Sequence, residues 1–344
     1  MIKLLSKKYL FFYTLFFLSS FALILLLILA ADLFMHQHLS KQLGYNYKGY
    51  RGKVLSAKDQ KEWRVACFGA STVYGYFVGP TESWPALLEK QFKMIDKFVS
   101  VANLGWNNQG IYGVFQDLQY YENLNYNIAI LYNSNADPDP KAIDFLDYRG
   151  ANFFFRTFGY MPILPLYLSE KTKILKYGVE NLDKAYLGQM DDQEAKKTNP
   201  VRFRVGMALD EVHGLFSQIT DKVNHYEKEA RKIQDANQKP YAEYLSYLSR
   251  SFDWLIARHK IVLYISNPGS PNRIKQELVE AMIKEQYSDR VFYLDLSLAV
   301  DVKDKSLCLD GMHLSPNGNE IVAAKIKNFI LEHNLINKHS LGGE

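Results

Sequence analysis

With 344 residues, 48% of them apolar, the chain can bury a large core and is longer than one average domain requires. Lys and Arg number 41 against 37 Asp and Glu, and past the first few positions they are dispersed with no basic stripe of interleaved aromatics, which argues against nucleic acid as a partner. The 2 cysteines, Cys67 and Cys308, show no C-x-x-C and no metal-ligand spacing, so neither a disulfide scaffold nor a zinc site is indicated, and Cys67 reads as a small core residue.

After Lys3, Lys7 and Lys8 the stretch from Tyr9 to Ala31 carries no charge and as a helix spans roughly 34 Å, enough to cross a bilayer. A cleavage site before Asp32 would place Leu29 where a small side chain is wanted, so an uncleaved anchor is expected. The lysines put the N-terminus in the cytoplasm and the rest of the chain outside it, on the periplasmic or cell-surface side, although the flank after the anchor is also basic. Residues 1–35 therefore read as cytoplasmic stub and anchor, and residues 36–62, polar with Gly and Tyr, as a juxtamembrane linker. His36 and His38 form an H-x-H pair; two ligands alone do not make a metal site, and they read as surface histidines.

From Trp63 apolar runs of strand length alternate with helical patterns. RVACFG precedes ESWPALLEKQFKMI, FVSVANLG precedes GIYGVFQDLQYYENL, and NIAILYN follows; later KIVLYISNPG precedes RIKQELVEAMIKEQ, and RVFYLDLS precedes a last helix near Pro316 to Leu331. Continuous apolar strands separated by helices predict an α/β fold with a five-stranded parallel sheet covered on both faces. The domain is expected over 63–335, interrupted by a helical and aromatic insertion at about 136–259, with 336–344 as a tail. In the insertion, Val212, Leu215, Phe216, Ile219, Val223 and Tyr226 predict one helix, and Pro240 separates it from another ending near Arg258. The aromatic part, NFFFRTFGYMPILPLYL, reads as an extra layer on the core, a lid over a site, or a contact with the membrane interface.

Functional residues of such sheets gather beyond the C-terminal ends of the strands. The first strand delivers Gly69-Ala70-Ser71, where Ser71 is either the cap of the next helix, a nucleophile, or both; a bare G-x-S arises about once or twice by chance in a chain of this length. The second ends at Asn103-Leu104-Gly105, where glycine lets backbone N–H groups approach a ligand, and the third at Asn133-Ser134-Asn135, which offers side-chain amides. After the fifth come Asp310 and His313, a spacing that in a helical turn brings both side chains to one side, just before a helix with Ser315 as cap and Pro316 at its first position. An aspartate so placed holds the imidazole in the tautomer that leaves its other nitrogen as a base. A second D-x-x-H, Asp210 and His213, falls inside the insertion and reads as solvated helix face.

These residues resemble the SGNH hydrolases, also called GDSL-type esterases and lipases. The first block of that family, G-D-S-x-x-x-G, is similar to Gly69-Ala70-Ser71-Thr72-Val73-Tyr74-Gly75; its second-block glycine is similar to Gly105, and its third block, G-x-N-D, resembles Asn133-Ser134-Asn135-Ala136. Its last block, D-x-x-H, matches Asp310 to His313. The resemblance covers roughly Arg64 to Leu331 outside the insertion. It implies a flavodoxin-like three-layer α/β/α sandwich with Ser71 as nucleophile, His313 as base and Asp310 as its orienting partner. It also implies an oxyanion hole of the Ser71 and Gly105 backbone N–H groups and the Asn135 side chain, with Asn133 as the alternative. The chain departs from the pattern at Ala70 and in the third block, which lacks both glycine and aspartate. No G-x-S-x-G elbow is present and acid and base come from one turn, which argues against the α/β-hydrolase alternative.

The expected activity is a membrane-anchored serine esterase or acyl hydrolase acting outside the cytoplasm, on O-acyl esters of envelope glycans by hydrolysis or transfer, with no metal or organic cofactor. The alternatives are a lipase or lysophospholipase-type lipid esterase, and a non-catalytic member of the fold that serves as a membrane-tethered binding or assembly protein.

Overall fold

The computed structural model describes residues 7–107, 109–132, 149–178, 191–220, 241–269 and 273–336. Strands β1 (Trp63–Phe68), β2 (Val99–Asn103), β3 (Ile128–Tyr132), β4 (Ile261–Ile265) and β5 (Val291–Leu294) form one sheet in the order β2-β1-β3-β4-β5, every pairing parallel. The helices in chain order are α1 (Lys7–Leu43), α2 (Ser71–Tyr74), α3 (Trp84–Lys93), α4 (Ile111–Tyr120), α5 (Phe153–Phe158), α6 (Leu164–Tyr177), α7 (Asp192–Thr198), α8 (Pro200–Thr220), α9 (Ala242–Ile256), α10 (Arg273–Gln286) and α11 (Pro316–Glu332).

Alternate strand residues point to opposite faces, and here both faces are buried, which is why the strands carry unbroken apolar runs. Val65, Cys67, Ile128, Ile130, Leu263 and Ile265 share one core cluster with Trp84, Leu88 and Phe92 of α3 and Val322, Ala323, Ile326 and Ile330 of α11, two helices packed against each other. On the opposite face Phe68 meets Tyr126 with ring centroids 5.6 Å apart, Tyr264 meets Phe252 of α9 at 6.1 Å, and α9 packs on α4. This is the three-layer α/β/α sandwich expected from the sequence. The order of strands reverses between β1 and β3, so the crevice of this sheet opens beyond their C-terminal ends.

The chain divides into two compact units: residues 1–43 with 162–217, and residues 44–161 with 218–344, the second carrying the sheet. In the first unit, Phe11–His38 of α1 is the one helical stretch among the described residues long and apolar enough to cross a membrane. His36 is buried rather than at the surface, because it lies one turn after Asp32, also buried, with its Nε2 3.5 Å from Asp32 Oδ2. The Asp32 Oδ1 accepts the Leu164 N–H at 2.6 Å at the start of α6. His38 is exposed, stacked on Phe34 at 4.0 Å. Helix α8 begins at Pro200, well before Val212, since Asn199 Oδ1 accepts the Arg202 N–H at 3.1 Å and Pro200 stands at the first helical position. Residues 221–226 of the expected helix and the His213 side chain lie outside the described set; Asp210 is exposed, 3.6 Å from Lys176 Nζ.

In the second unit, residues 44–52 fold as a turn ahead of β1. Tyr45, Asn46, Tyr50 and Arg51 are buried there, and the Arg51 N–H donates to Asn103 O at 2.9 Å. The aromatic run forms α5, capped by Asn152, whose Oδ1 accepts the Phe155 N–H at 3.0 Å. Phe155 packs against Tyr120 and Tyr121 at 5.7 and 5.8 Å, while Phe153, Phe154 and Phe158 remain exposed. Cys67 and Cys308 are separate buried thiols.

Candidate active site

The chain leaves β1 at Phe68, turns through Gly69 and enters α2, only four residues long. Gly75 ends it in the left-handed region at φ 81°, where a Cβ would sit 2.6 Å from that of Ser83. The cap of α2 is Ala70, which makes no side-chain cap bond, so Ser71 does not cap the helix. It occupies the first helical position and is half-buried. No described residue accepts the Ser71 N–H, as expected for the first amide of a helix.

His313 arrives from the loop between β5 and α11. Asp310 Oδ1 accepts the backbone N–H groups of Met312 at 2.9 Å and His313 at 2.7 Å, so the carboxylate closes its own turn. The three-residue spacing works through this side-chain turn ahead of α11, not through a turn of helix. Cys308 bridges Leu314, and Ser315 caps α11 by accepting the Gly318 N–H at 3.2 Å. The imidazole is thereby aimed: Nδ1 lies 2.6 Å from Asp310 Oδ2 and Nε2 lies 2.9 Å from Ser71 Oγ.

Protons can be assigned by elimination. An ionised carboxylate only accepts, so Nδ1 carries the hydrogen given to Asp310; in the neutral ring Nε2 then accepts, and the Ser71 hydroxyl donates to it. Partial burial works to raise the Asp310 carboxyl, but the His313 amide and imidazole and the Met312 amide outweigh it and hold it below the usual aspartate range. The orienting group is therefore charged at neutral pH. Ser71 and His313 are half-buried and Asp310 is exposed.

Gly105 follows β2 beside α2. A Cβ there would meet the Tyr74 backbone nitrogen at 2.3 Å, so only glycine permits this approach. Its N–H donates to Asn103 Oδ1 at 3.1 Å, while Asn103 Nδ2 donates to Val73 O at 2.9 Å. Asn103 thus ties the Gly105 turn to α2, a role that a reading of this strand end for its glycine overlooks; the signal available was an amide side chain closing the strand. Asn133 and Asn135 lie outside the described residues, so the structure describes Ser71, Gly105, Asp310 and His313 but not the side-chain amide expected with them.

Two buried arginines, absent from the sequence expectations, brace these loops. Arg51 Nη1 donates to Tyr74 O and, at 2.6 Å, to Gly75 O, and Nη2 to Val78 O at 2.6 Å. Arg149 pairs with Asp117 and donates to Gly49 O and Leu104 O, each at 3.0 Å. Neither announces itself in sequence, because a buried guanidinium is recognised by the carbonyls around it and those come from distant segments.

The GDSL-like lipase/acylhydrolase family profile matches residues 65–326. Among solved structures the chain is similar to a Clostridium thermocellum family 3 carbohydrate esterase (12% identity, 82% of this chain and 100% of that one, TM-score 0.44). It is similar also to a psychrotrophic esterase from Pseudoalteromonas sp. (9% identity, 79% and 98%, TM-score 0.44). A lipase/acylhydrolase from Enterococcus faecalis is a third (13% identity, 79% and 96%, TM-score 0.40). No curated protein matches the sequence. With a profile spanning most of the chain, this protein belongs to the GDSL-like lipase/acylhydrolase family and is an SGNH-type serine hydrolase of ester bonds.

Proposed function

We propose that Ser71, His313 and Asp310 are the catalytic triad of an acyl-transfer reaction on carboxylic esters. The observation that carries this reading is the unbroken hydrogen-bond chain from Ser71 Oγ through both imidazole nitrogens to Asp310. Ser71 Oγ attacks the ester carbonyl while Nε2 takes its proton; the same nitrogen returns that proton to the departing alkoxide, leaving an acyl-serine. Water, or a second alcohol in a transfer reaction, then attacks with His313 again as base. The negative oxygen of the tetrahedral intermediate is stabilised by the Ser71 and Gly105 N–H groups and the Asn135 side chain, Asn133 being the alternative. The Gly105 N–H is shared with Asn103 Oδ1 in that role. No residue in this scheme calls for a metal or an organic cofactor.

The apolar helix supports a single-pass anchor, and the lysines ahead of it favour a cytoplasmic N-terminus with the chain after the anchor outside. In that setting the substrate is an O-acyl ester of an envelope glycan. Ser71→Ala in the full chain should abolish short-chain ester hydrolysis, and a fluorophosphonate should label the parent at Ser71; an unlabelled serine favours the non-catalytic binding protein. Higher rates on long-chain acyl esters than on acetyl esters would favour the lipid esterase. Protease digestion of spheroplasts, whose cytoplasmic membrane is sealed and exposed, that leaves the chain after the anchor protected would reverse the orientation.

A further inference from the structure

The loop after α2 carries two aromatic side chains that the catalytic chemistry does not use. Tyr76 and Phe77 flank the imidazole of His313 with ring centroids at 5.1 and 5.5 Å, Phe77 nearly perpendicular to it at 86°, and they touch each other at 4.3 Å. Phe77 stands in the left-handed backbone region at φ 70°, a strained setting for a bulky residue, yet 48% of it is exposed. Core burial therefore does not offset the strain, and glycine would suit the backbone better.

The loop is nevertheless held rigidly. Arg51, 4% exposed, grips the carbonyls of Tyr74, Gly75 and Val78, on both sides of the aromatic pair, and its guanidinium lies 4.0 Å from the Tyr74 ring centroid. Farther along, the Gly79 N–H donates to Glu82 Oε2 at 2.8 Å. An exposed ring kept in a strained position by a buried fork is preorganised for something outside the protein.

Its position says which half of the substrate it meets. Nε2 must reach the leaving oxygen to protonate it, so the alcohol half of the ester lies against the imidazole, whereas the acyl half lies toward the oxyanion donors. We propose that Phe77 and Tyr76 form the wall that binds the alcohol half of the ester, that this alcohol is a sugar ring, and that Arg51 is the positioning residue that fixes the wall. A pyranose offers an apolar C–H face to the Phe77 ring and hydroxyls to the Tyr76 oxygen and to water, which suits a half-wet site. The assignment rests on the acyl-transfer reading above.

The test compares acetates of three alcohols, ethanol, a hexose and dodecanol, on the full chain in detergent, for the parent and Phe77→Gly. The expected result is a fall of at least about tenfold in the ratio of kcat/KM for hexose acetate over ethyl acetate, carried by KM, with Tm at or above that of the parent. A merely structural Phe77 would lower Tm and leave the ratio in place, which overturns the proposal. A fall confined to the dodecyl ratio overturns the sugar assignment. Arg51→Lys, which keeps the charge but not the fork, should lower the hexose ratio in the parent and add nothing in Phe77→Gly; additive losses would remove Arg51 from the role. Absence of fluorophosphonate labelling at Ser71 in the parent, by contrast, would overturn the acyl-transfer reading itself.

Discussion

Gly105 packs so closely on Tyr74 that a Cβ would stand 2.3 Å from the Tyr74 nitrogen and 2.8 Å from the Val73 carbonyl carbon. Both obstacles are backbone and neither can rotate away. Gly105→Ala should push the β2 turn off α2, costing about 1–3 kcal/mol as an overpacking change. Because it shifts Ser71 against His313, turnover should fall roughly 10²-fold. Urea denaturation and initial rates on a short ester check the two effects separately.

Asn103 joins the same two segments by one donor and one acceptor. Asn103→Ala leaves the buried Gly105 N–H and Val73 O without this partner and should cost about 1–3 kcal/mol. Asn103→Asp is worse at neutral pH, since a carboxylate then faces Val73 O and Tyr74 O, two acceptors. Protonation turns that oxygen into a donor. The deficit of Asn103→Asp against the parent should therefore shrink as pH falls, while that of Asn103→Ala stays constant, as thermal melts across pH would show.

Asp310→Asn should lower turnover by roughly 10³- to 10⁴-fold, because an amide does not select the tautomer that leaves Nε2 free. The folded carboxyl titrates below its unfolded value, burial being outweighed by the His313 and Met312 donors. Its contribution to stability is thus present above the ordinary aspartate range and lost as pH drops through the lowered value. The Tm gap between parent and Asp310→Asn should close in that acid window, and a gap that widened there would contradict the geometry.

Arg149 and Asp117 are both buried, each about 99% removed from solvent at 1% exposure. Burial works to lower the Arg149 pKa, but Asp117 together with Tyr121 and Tyr45 outweighs it and the guanidinium stays charged. Removing one partner strands the other charge, so Arg149→Met should cost about 3–5 kcal/mol. Replacing both, with Asp117→Leu, should cost clearly less than the sum of the single changes. A double-mutant cycle by urea titration measures this coupling; additive losses would mean that the pair does not act as one.

Much of the molecule is legible before folding. Val65 to Phe68, Ile128 to Tyr132 and Ile261 to Ile265 are apolar on both faces, and only a sheet covered by helices on both sides hides such runs, so the fold follows from local pattern. Ser71 stands out because it follows a strand and opens a helix, and Asp310 and His313 because they sit in a D-x-x-H spacing just ahead of the last helix. Segment 44–52 misleads for the opposite reason: its Gly and Tyr read as linker, yet Arg51 is buried among partners from positions 74 to 103 and Tyr50 packs on Tyr121, which no local window contains.

What the amino-acid order pointed to by itself is therefore the kind of sheet, the apolar N-terminal helix and the hydroxyl, imidazole and carboxylate that the fold joins by hydrogen bonds, since each is written in periodicity or in a short spacing. Only the tertiary structure decided that Ser71 heads its helix rather than capping it, that Asp310 closes a turn to aim His313, and that Arg51 and Asn103 hold the loops around them. Those facts depend on distances between segments far apart in the chain, and a hydrogen bond of about 3 Å is set by packing, which sequence spacing does not encode.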